Sequence, residues 1–369
     1  LKDKVMKKFC IGIDIAKKTF DATAIFVESI DSLNEVGYRQ FDNCPSGFRA
    51  LVSWAKKLCK QCNGKLSEDG LFCMETTGGY DRQICMYLHD KGQNVWRESA
   101  LQIHRSSGFR RGKNDKADSR NISEYAAKHQ DKLVLFSPDP TVIMELKEIV
   151  NYRATMVERR KEAKTRLSEK KFTTVLGKSQ TERAINKMSE SEIKTLDEII
   201  EKCNQEIERI INSDEDLKRN YLHMTSINGL GLVNAACIIA YSSNFKKITT
   251  PNKMSCYAGA HTFYDDSGTS VHKKDPSKNV CCKMIKNNLR MAARSAIIYN
   301  REIKAYADRL EKKGKPYSIV LNNVINKLLH ITYSLVKNDC DYEYNHELLR
   351  KLKTVEPVLK TEPSLEAAL

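Results

Sequence analysis

Hydrophobic positions lay out the first third of the chain as strands followed by alternating helices and strands. KKFCIGIDIA is a short apolar strand, and FDATAIFVES and NEVGYRQFDN continue with period-two alternation between polar breaks. The spacing turns helical in PSGFRALVSWAKKLCKQC, where Pro45 can open a helix and Phe48, Leu51, Val52, Ala55 and Leu58 fall on one face. A buried strand, GLFCME, runs into the glycine turn TTGGY. A helix from Arg82 to His89 and a strand at NVWRES follow.

Three strands, a helix, a strand, a helix and a strand is the element order of an RNase H-like mixed sheet covered by helices. The middle of the chain changes character. From Thr141 to Phe172 there is neither glycine nor proline, and after a break near Gly177 the positions Ile193, Leu196, Ile200, Cys203, Ile207 and Ile210 step by three and four, a heptad seam. The preceding segment offers Leu146, Val150, Val157 and Leu167 to such a seam, with Arg153 and Arg160 along the same line. Two antiparallel helices forming a coiled-coil arm are expected. The arm could be a spacer, a dimer contact or a basic rail for nucleic acid. From TSINGLGLVNAACIIA to Lys337 the chain reads as mainly helical, interrupted by a polar, turn-rich loop, GAHTFYDDSGTSVHKKDPSKN. The tail from Val355 has no periodicity and reads as a frayed end. The expected fold class is α/β plus α, in three parts: 9–140, an arm over 141–215 and a helical domain over 216–340, with a flexible tail over 355–369.

Charge narrows the choice of partner. Lys and Arg number 62 against 47 acidic residues in 369, a formal net charge of +15 that attracts a polyanion. No apolar run approaches the roughly 20 residues of a membrane helix, and strand-like alternation follows the basic LKDKVMKKFC where a signal peptide would be apolar. Twelve cysteines without a regular framework point to reduced thiols and a cytoplasmic, nucleoid-associated protein. Cys59 and Cys62 form a CxxC with no second pair at zinc-finger distance.

Four carboxylates stand out. Asp14 interrupts an apolar strand, and Glu75 repeats the anomaly at the end of LFCME. Burying an unpaired carboxylate is expensive, so a base, hydrogen bonds or a cation must compensate. Asp115 and Asp118 in GKNDKADSR are three apart on one face of a starting helix. Singly, Asp14 could pair with Lys17 and the others could be solvated or cap a helix; jointly, they could hold magnesium for phosphoryl transfer on DNA. Arg105, Arg110, Arg111, Lys113 and Lys116 surround the last pair and could draw in a phosphate backbone or merely form a solvated loop. Gly229 and Gly231 permit a tight turn between helices, either to expose amides to a phosphate, as in helix-hairpin-helix elements, or to pack closely. Lys283, Lys286 and Arg290 line a helix whose other face is apolar, which suits backbone contact.

GIDIAKKTFD, METTGGYDRQICMYLHDKG and KNDKADS, followed far downstream by TSINGLGLVNAACIIA and a Ser-Gly loop, resemble the DEDD transposases of insertion-sequence family one-hundred-and-ten. These are relatives of the Piv invertase, and the family includes bridge-RNA-guided recombinases. The resemblance spans about Phe9 to Lys337. It implies a RuvC-like domain whose tetrad falls on Asp14, Glu75, Asp115 and Asp118, holding Mg2+ or Mn2+. It also implies a C-terminal transposase domain whose serine nucleophile is Ser267, before Gly268 in DDSGTS, although DDSG also suits an ordinary turn. The implied partners are donor and target DNA, a structured guide RNA, and further copies of the chain as a dimer or tetramer. Departures from the family pattern fall at Ile285 and Lys286, where glycine and asparagine are usual, at Gly259 to Thr262, and at Ser119, where alanine is usual. The alternative reading is a RuvC-like hydrolytic nuclease or junction resolvase without serine chemistry.

Overall fold

The computed structural model describes residues 7–29, 32–76, 78–106, 114–173, 179–260, 263–267, 271–275 and 281–344. The chain divides into two compact units, one ending at Pro138 and the other beginning at Asp139.

The first unit is built on a five-stranded mixed sheet. Strands β1 (Phe9–Ile15), β2 (Thr19–Ser29) and β3 (Ser32–Asp42) form an antiparallel meander. Strands β4 (Gly70–Glu75) and β5 (Val95–Glu98) add in parallel on the other side of β1, giving the order β3-β2-β1-β4-β5. Between them run α1 (Pro45–Gln61), the single turn α2 (Leu66–Asp69) and α3 (Arg82–Asp90). After β5 come α4 (Ala100–Ser106) and α5 (Asp115–Lys128). The period of two sorts the strand residues between two cores. Ile11, Ile13, Phe20, Phe72 and Met74 pack under α1 and α3. Cys10, Ile25, Leu71, Cys73 and Trp96 pack under α4 and α5. Asp14, Thr23 and Glu75 therefore point toward the α5 side.

Gly12 decides how closely α5 can approach. A Cβ there would lie 2.2 Å from the Ser119 carbonyl oxygen and 2.2 Å from the Ser123 amide. Only a residue without a side chain lets the helix backbone rest on β1. Ser123 donates to the Cys10 carbonyl at 2.9 Å, and Ser119 shares a 2.8 Å hydrogen bond with Thr23. The serine that stands where alanine is usual thus has a buried partner on β2. The N-terminus of α5 is capped by Asn114, whose side chain accepts from the Lys116 amide at 3.0 Å.

The second unit opens with two 33-residue helices, α6 (Thr141–Thr173) and α7 (Gln180–Asn212). Arg153 donates to Asn204 at 2.7 Å, Arg160 to Asp197 at 2.6 Å and Arg166 to Glu192 at 3.2 Å. From the first pair to the second, seven residues forward on α6 match seven back on α7, and the third pair continues the same way, so the helices run antiparallel with these arginines reaching across. Leu196, Ile200, Cys203, Ile207 and Ile210 are buried, whereas Ile193 is half-buried. On α6 the buried positions are Ile143, Leu146, Val150, Met156 and Ala163, with Val157 and Leu167 only half-buried. The expected seam is therefore displaced by one residue midway, because a straight helix of 3.6 residues per turn drifts from a seven-residue repeat.

The roots of both helices join the core of α8 (Glu215–Thr225), α9 (Leu232–Ser242), α10 (Pro251–Tyr257), α11 (Lys283–Tyr299), α12 (Arg301–Lys312) and α13 (Tyr317–Asn338). The stretch expected to be a turn-rich loop contains instead an antiparallel hairpin, β6 (Phe263–Ser267) with β7 (Val271–Asp275). Its sequence is polar, and the hairpin is defined by strand pairing. No helix among the described residues is long and apolar enough to cross a membrane.

Candidate acid site and nucleic-acid interface

Strand register brings the acids together. Asp14 stands opposite Asp21 on β2, and Asp21 opposite Gln40 on β3. On the other side Ile13 pairs with Met74, which carries Glu75 alongside Asp14, and Glu75 pairs with Glu98 on β5. Residues in register share a face. Gln40, Asp21, Asp14, Glu75 and Glu98 thus make one row across the sheet, on the side covered by α5. The first turn of α5 adds Asp115 and Asp118.

Electrostatics agrees with the register. The Asp14 carboxyl is pushed up to about 6, first by burial and then by Asp118, Asp115, Glu75 and Asp21. Every member of the predicted tetrad therefore acts on the same carboxyl. Asp14, Glu75 and Asp118 are half-buried and Asp115 is exposed, so the cluster opens to solvent at the start of α5. Among the described residues, no three His, Cys, Asp or Glu side chains lie close enough to enclose a cation as they stand. The acids share a field without closing into a cage, as expected of like charges facing one another. An anionic, all-oxygen donor set whose members add to the shift that burial imposes on Asp14 fits a hard divalent cation, which would relieve that repulsion.

Several supporting residues escape a reading of the sequence. Asp21, 4% exposed, accepts from the Tyr38 hydroxyl and from Gln40 at 3.1 Å. Its hydrogen bond with Asp21, followed by burial, pushes the Tyr38 phenol up to about 12. Glu98 accepts from Tyr125 at 3.2 Å and from the Ser99 amide at 2.7 Å. Beyond Glu75, the turn is fixed by Arg97, which donates to the fully buried Asp81 at 2.6 Å. Asn43 donates to the carbonyls of Ala16 and Tyr80 at 3.0 and 3.3 Å, tying that turn to the end of β1. The alternation of acidic and apolar residues in FDATAIF held a signal for Asp21; Tyr38 and Gln40 carried none without the register.

The expected nucleic-acid contacts fare unevenly. Arg105 is exposed in the last turn of α4, while Arg110, Arg111 and Lys113 lie outside the described residues. The Lys116 ammonium sits 4.9 Å from the centroid of the Tyr38 ring. Gly229, at φ +110°, would place a Cβ 2.5 Å from the Ala296 backbone, so its job is close packing against α11. Gly231 differs: it is exposed at the start of α9, with open space where a Cβ would lie. Lys283 is exposed on α11, and Lys286 and Arg290 are half-buried beside it; the Arg290 Nε has no hydrogen-bond partner among the described residues. Ser267 is the last residue of β6, opposite Val271, and Gly268 lies outside the described residues.

Comparison with known proteins matches both halves of the chain. Residues 11–170 match the DEDD transposase model of IS110, described as a transposase, and residues 222–308 match the model described as transposase IS116/IS110/IS902 family. The chain belongs to the IS110 transposase family. This IS110-family transposase is similar to the pilin gene-inverting proteins of Moraxella bovis and Moraxella lacunata. Each is 24% identical over 345 residues, covering 92% of this chain and 98% of the relative. It is therefore a DNA recombinase, an enzyme whose substrate is DNA. Its DEDD domain suggests use of a divalent metal.

Proposed function

We propose that this transposase cuts and rejoins donor and target DNA through a covalent phosphoserine link at Ser267, with Asp14, Glu75, Asp115 and Asp118 holding Mg2+ or Mn2+. The observation that carries the reading is the convergence of Glu75, Asp115 and Asp118 on Asp14, whose carboxyl is pushed up to about 6 by burial first and by those acids after it. A cation bound there would neutralise charge on the non-bridging phosphate oxygens. The chain's own part is to orient the phosphate and manage protons. A serine hydroxyl is a weak nucleophile unless its proton is removed, a task the acid site of the same or a partner subunit could supply. Attack by Ser267 Oγ would form a phosphorus–oxygen ester as the bond to one deoxyribose oxygen breaks. The proton lost by the serine balances the one gained by the departing hydroxyl. The reverse step, with a different deoxyribose hydroxyl attacking, restores a phosphodiester with no added energy source.

The +15 charge, the exposed Gly231 at the start of α9 and the cations Lys283, Lys286 and Arg290 support binding of DNA and of a structured guide RNA, the latter by resemblance to bridge-RNA-guided relatives. The paired helices α6 and α7 form a coiled-coil arm that follows the RuvC-like domain in the chain and precedes the helical transposase domain. The arm serves assembly as a dimer or tetramer, since two paired DNA ends need paired sites, while the helix-hairpin-helix-like turn at Gly229 and Gly231 serves phosphate contact.

The deciding experiment traps the intermediate. Incubation with a nicked or mismatched substrate is expected to leave DNA on the protein through a denaturing gel, with the adduct on the peptide containing Ser267. Ser267→Ala is expected to abolish adduct and rejoining while nucleic-acid binding persists, and Ser270→Ala to be much milder. Continued recombination by Ser267→Ala, or an adduct elsewhere, would overturn the serine assignment and favour hydrolysis by water at the acid site.

A further inference from the structure

Next to Asp14 lies a carboxylate outside the DEDD set, and its bonds lead back to that set by another route. Asp21 is opposite Asp14 in the β1–β2 register and is almost fully buried. Its Oδ1 accepts from the Tyr38 hydroxyl and its Oδ2 from Gln40. With each oxygen already engaged, Asp21 is better suited to anchor a neighbour than to join the tetrad as a ligand. The neighbour is Tyr38, whose ring lies under the Lys116 ammonium at 4.9 Å. Lys116 stands between Asp115 and Asp118 in the first turn of α5. Carboxylate, phenol and ammonium thus form a line from β2 through β3 to the helix turn that bears two of the four acids.

The line is physically self-consistent. A buried carboxylate needs donors, and the phenol supplies one. A phenol donating to an anion is polarised toward its ring, which favours a cation over the ring face. Lys116 itself is exposed and contributes little to the core, so its orientation toward Tyr38 acts on the local placement of the turn.

We propose that Asp21, Tyr38 and Lys116 are positioning residues that hold the first turn of α5, and with it Asp115 and Asp118, against Asp14. This rests on the reading of the four acids as a divalent-cation site. It makes a prediction of unusual sign. A lysine that is only a nearby positive charge repels a divalent cation, so removing it would tighten cation binding. A lysine that positions two ligands does the opposite.

The test is a calorimetric titration of the full-length protein with manganese(II), alongside thermal unfolding. Lys116→Met is expected to weaken manganese binding by about 10-fold, in the range typical of residues that orient ligands, with an unchanged unfolding midpoint. Lys116→Arg, which keeps a cation over the ring, is expected to bind as wild type. Tyr38→Phe, which keeps the ring but cuts it from Asp21, is expected to fall between them. Lys128→Met, an exposed charge in the last turn of the same helix, serves as the control for net charge. Unchanged or tighter binding by Lys116→Met, or equal loss in Lys116→Arg and Lys116→Met, would overturn the positioning role. Asp14→Asn separates the two readings. If it binds manganese as wild type, the acid site itself is wrong; if it loses binding while Lys116→Met does not, only the positioning inference fails.

Discussion

Replacing Gly12 by alanine perturbs one methyl group and should be felt in both stability and catalysis. The new Cβ would sit 2.2 Å from Ser119 O and Ser123 N and 2.8 Å from Ser123 Cα, where ordinary contact begins near 3.4 Å. All three atoms belong to helix backbone, so no side chain can rotate away. Helix α5 must withdraw from β1 by about 1 Å, the shortfall implied by those contacts. Withdrawal strains the Ser123–Cys10 and Ser119–Thr23 hydrogen bonds. Overpacking of about 1–3 kcal/mol plus about 1 kcal/mol for each weakened bond gives a loss of about 3–5 kcal/mol. Both tryptophans, Trp54 and Trp96, lie in the first unit, so urea unfolding followed by tryptophan fluorescence reports on it directly. The same displacement moves Asp115 and Asp118 relative to Asp14, and about 1 Å of misplacement is expected to slow DNA cleavage about 100-fold. An unfolding midpoint and a cleavage rate both equal to wild type would refute the seating of α5 on Gly12.

Gly229→Ala should be destabilising by about 2–4 kcal/mol, combining a positive φ with overlap against the Ala296 backbone. Gly231→Ala, at φ −96° in open space, should stay within about 0.5 kcal/mol; urea unfolding followed by helical circular dichroism compares the two, and equal losses would contradict the packing. His223 supplies a pH dependence. Burial pulls its pKa down, but hydrogen bonds to Asp341 at 2.8 Å and Asp339 at 3.1 Å outweigh this and raise it above the ordinary value. Arg219, which also contacts Asp339 and Asp216, is the other charge at this cluster. Since the folded value is the higher one, the stabilisation is fully present below the unfolded pKa of about 6.5 and is lost as pH rises through the folded value. Amide exchange in residues 339–344 should accelerate over that rise relative to intrinsic exchange, and His223→Gln should remove the excess. An identical profile in the variant would reject the link.

Much of the sheet was legible because its strands alternate strictly between two cores, and the four acids were legible because each breaks an apolar run or clusters at a helix start. The mixed sheet with its covering helices follows from that pattern. The hairpin Phe263–Ser267 with Val271–Asp275 was not legible, since FYDDS and VHKKD contain neither a hydrophobic face nor a turn pair of the usual hairpin kind. Helix α4 was missed for a related reason: in a seven-residue helix with a single buried side chain, Ile103, periodicity has nothing to repeat. In α6 the period was right but the phase slipped from Val157 to Met156, and only the facing helix fixes phase. Gly12 and Thr23 carried no warning of their role, because a close helix approach is a property of two segments 100 residues apart along the chain.

What the sequence shows as an anomaly, the fold turns into a relation. A lone aspartate in an apolar strand invites several explanations, among them a lysine three positions away. Register removes that freedom, because a residue fixed in a paired strand has its neighbours chosen by the sheet: Asp21 on one side of Asp14 and Glu75 on the other. Five polar or acidic side chains in one row would destabilise an ordinary sheet face, since like charges side by side repel. Here two of the five, Asp21 and Glu98, are held by donors from within the fold, and Asp14 and Glu75 face the acids of α5. The donors sit at the flanks of the row and the concentrated negative field at its centre. A sheet built only for stability would place its donors at the centre; a charged centre is what the proposed cation site calls for.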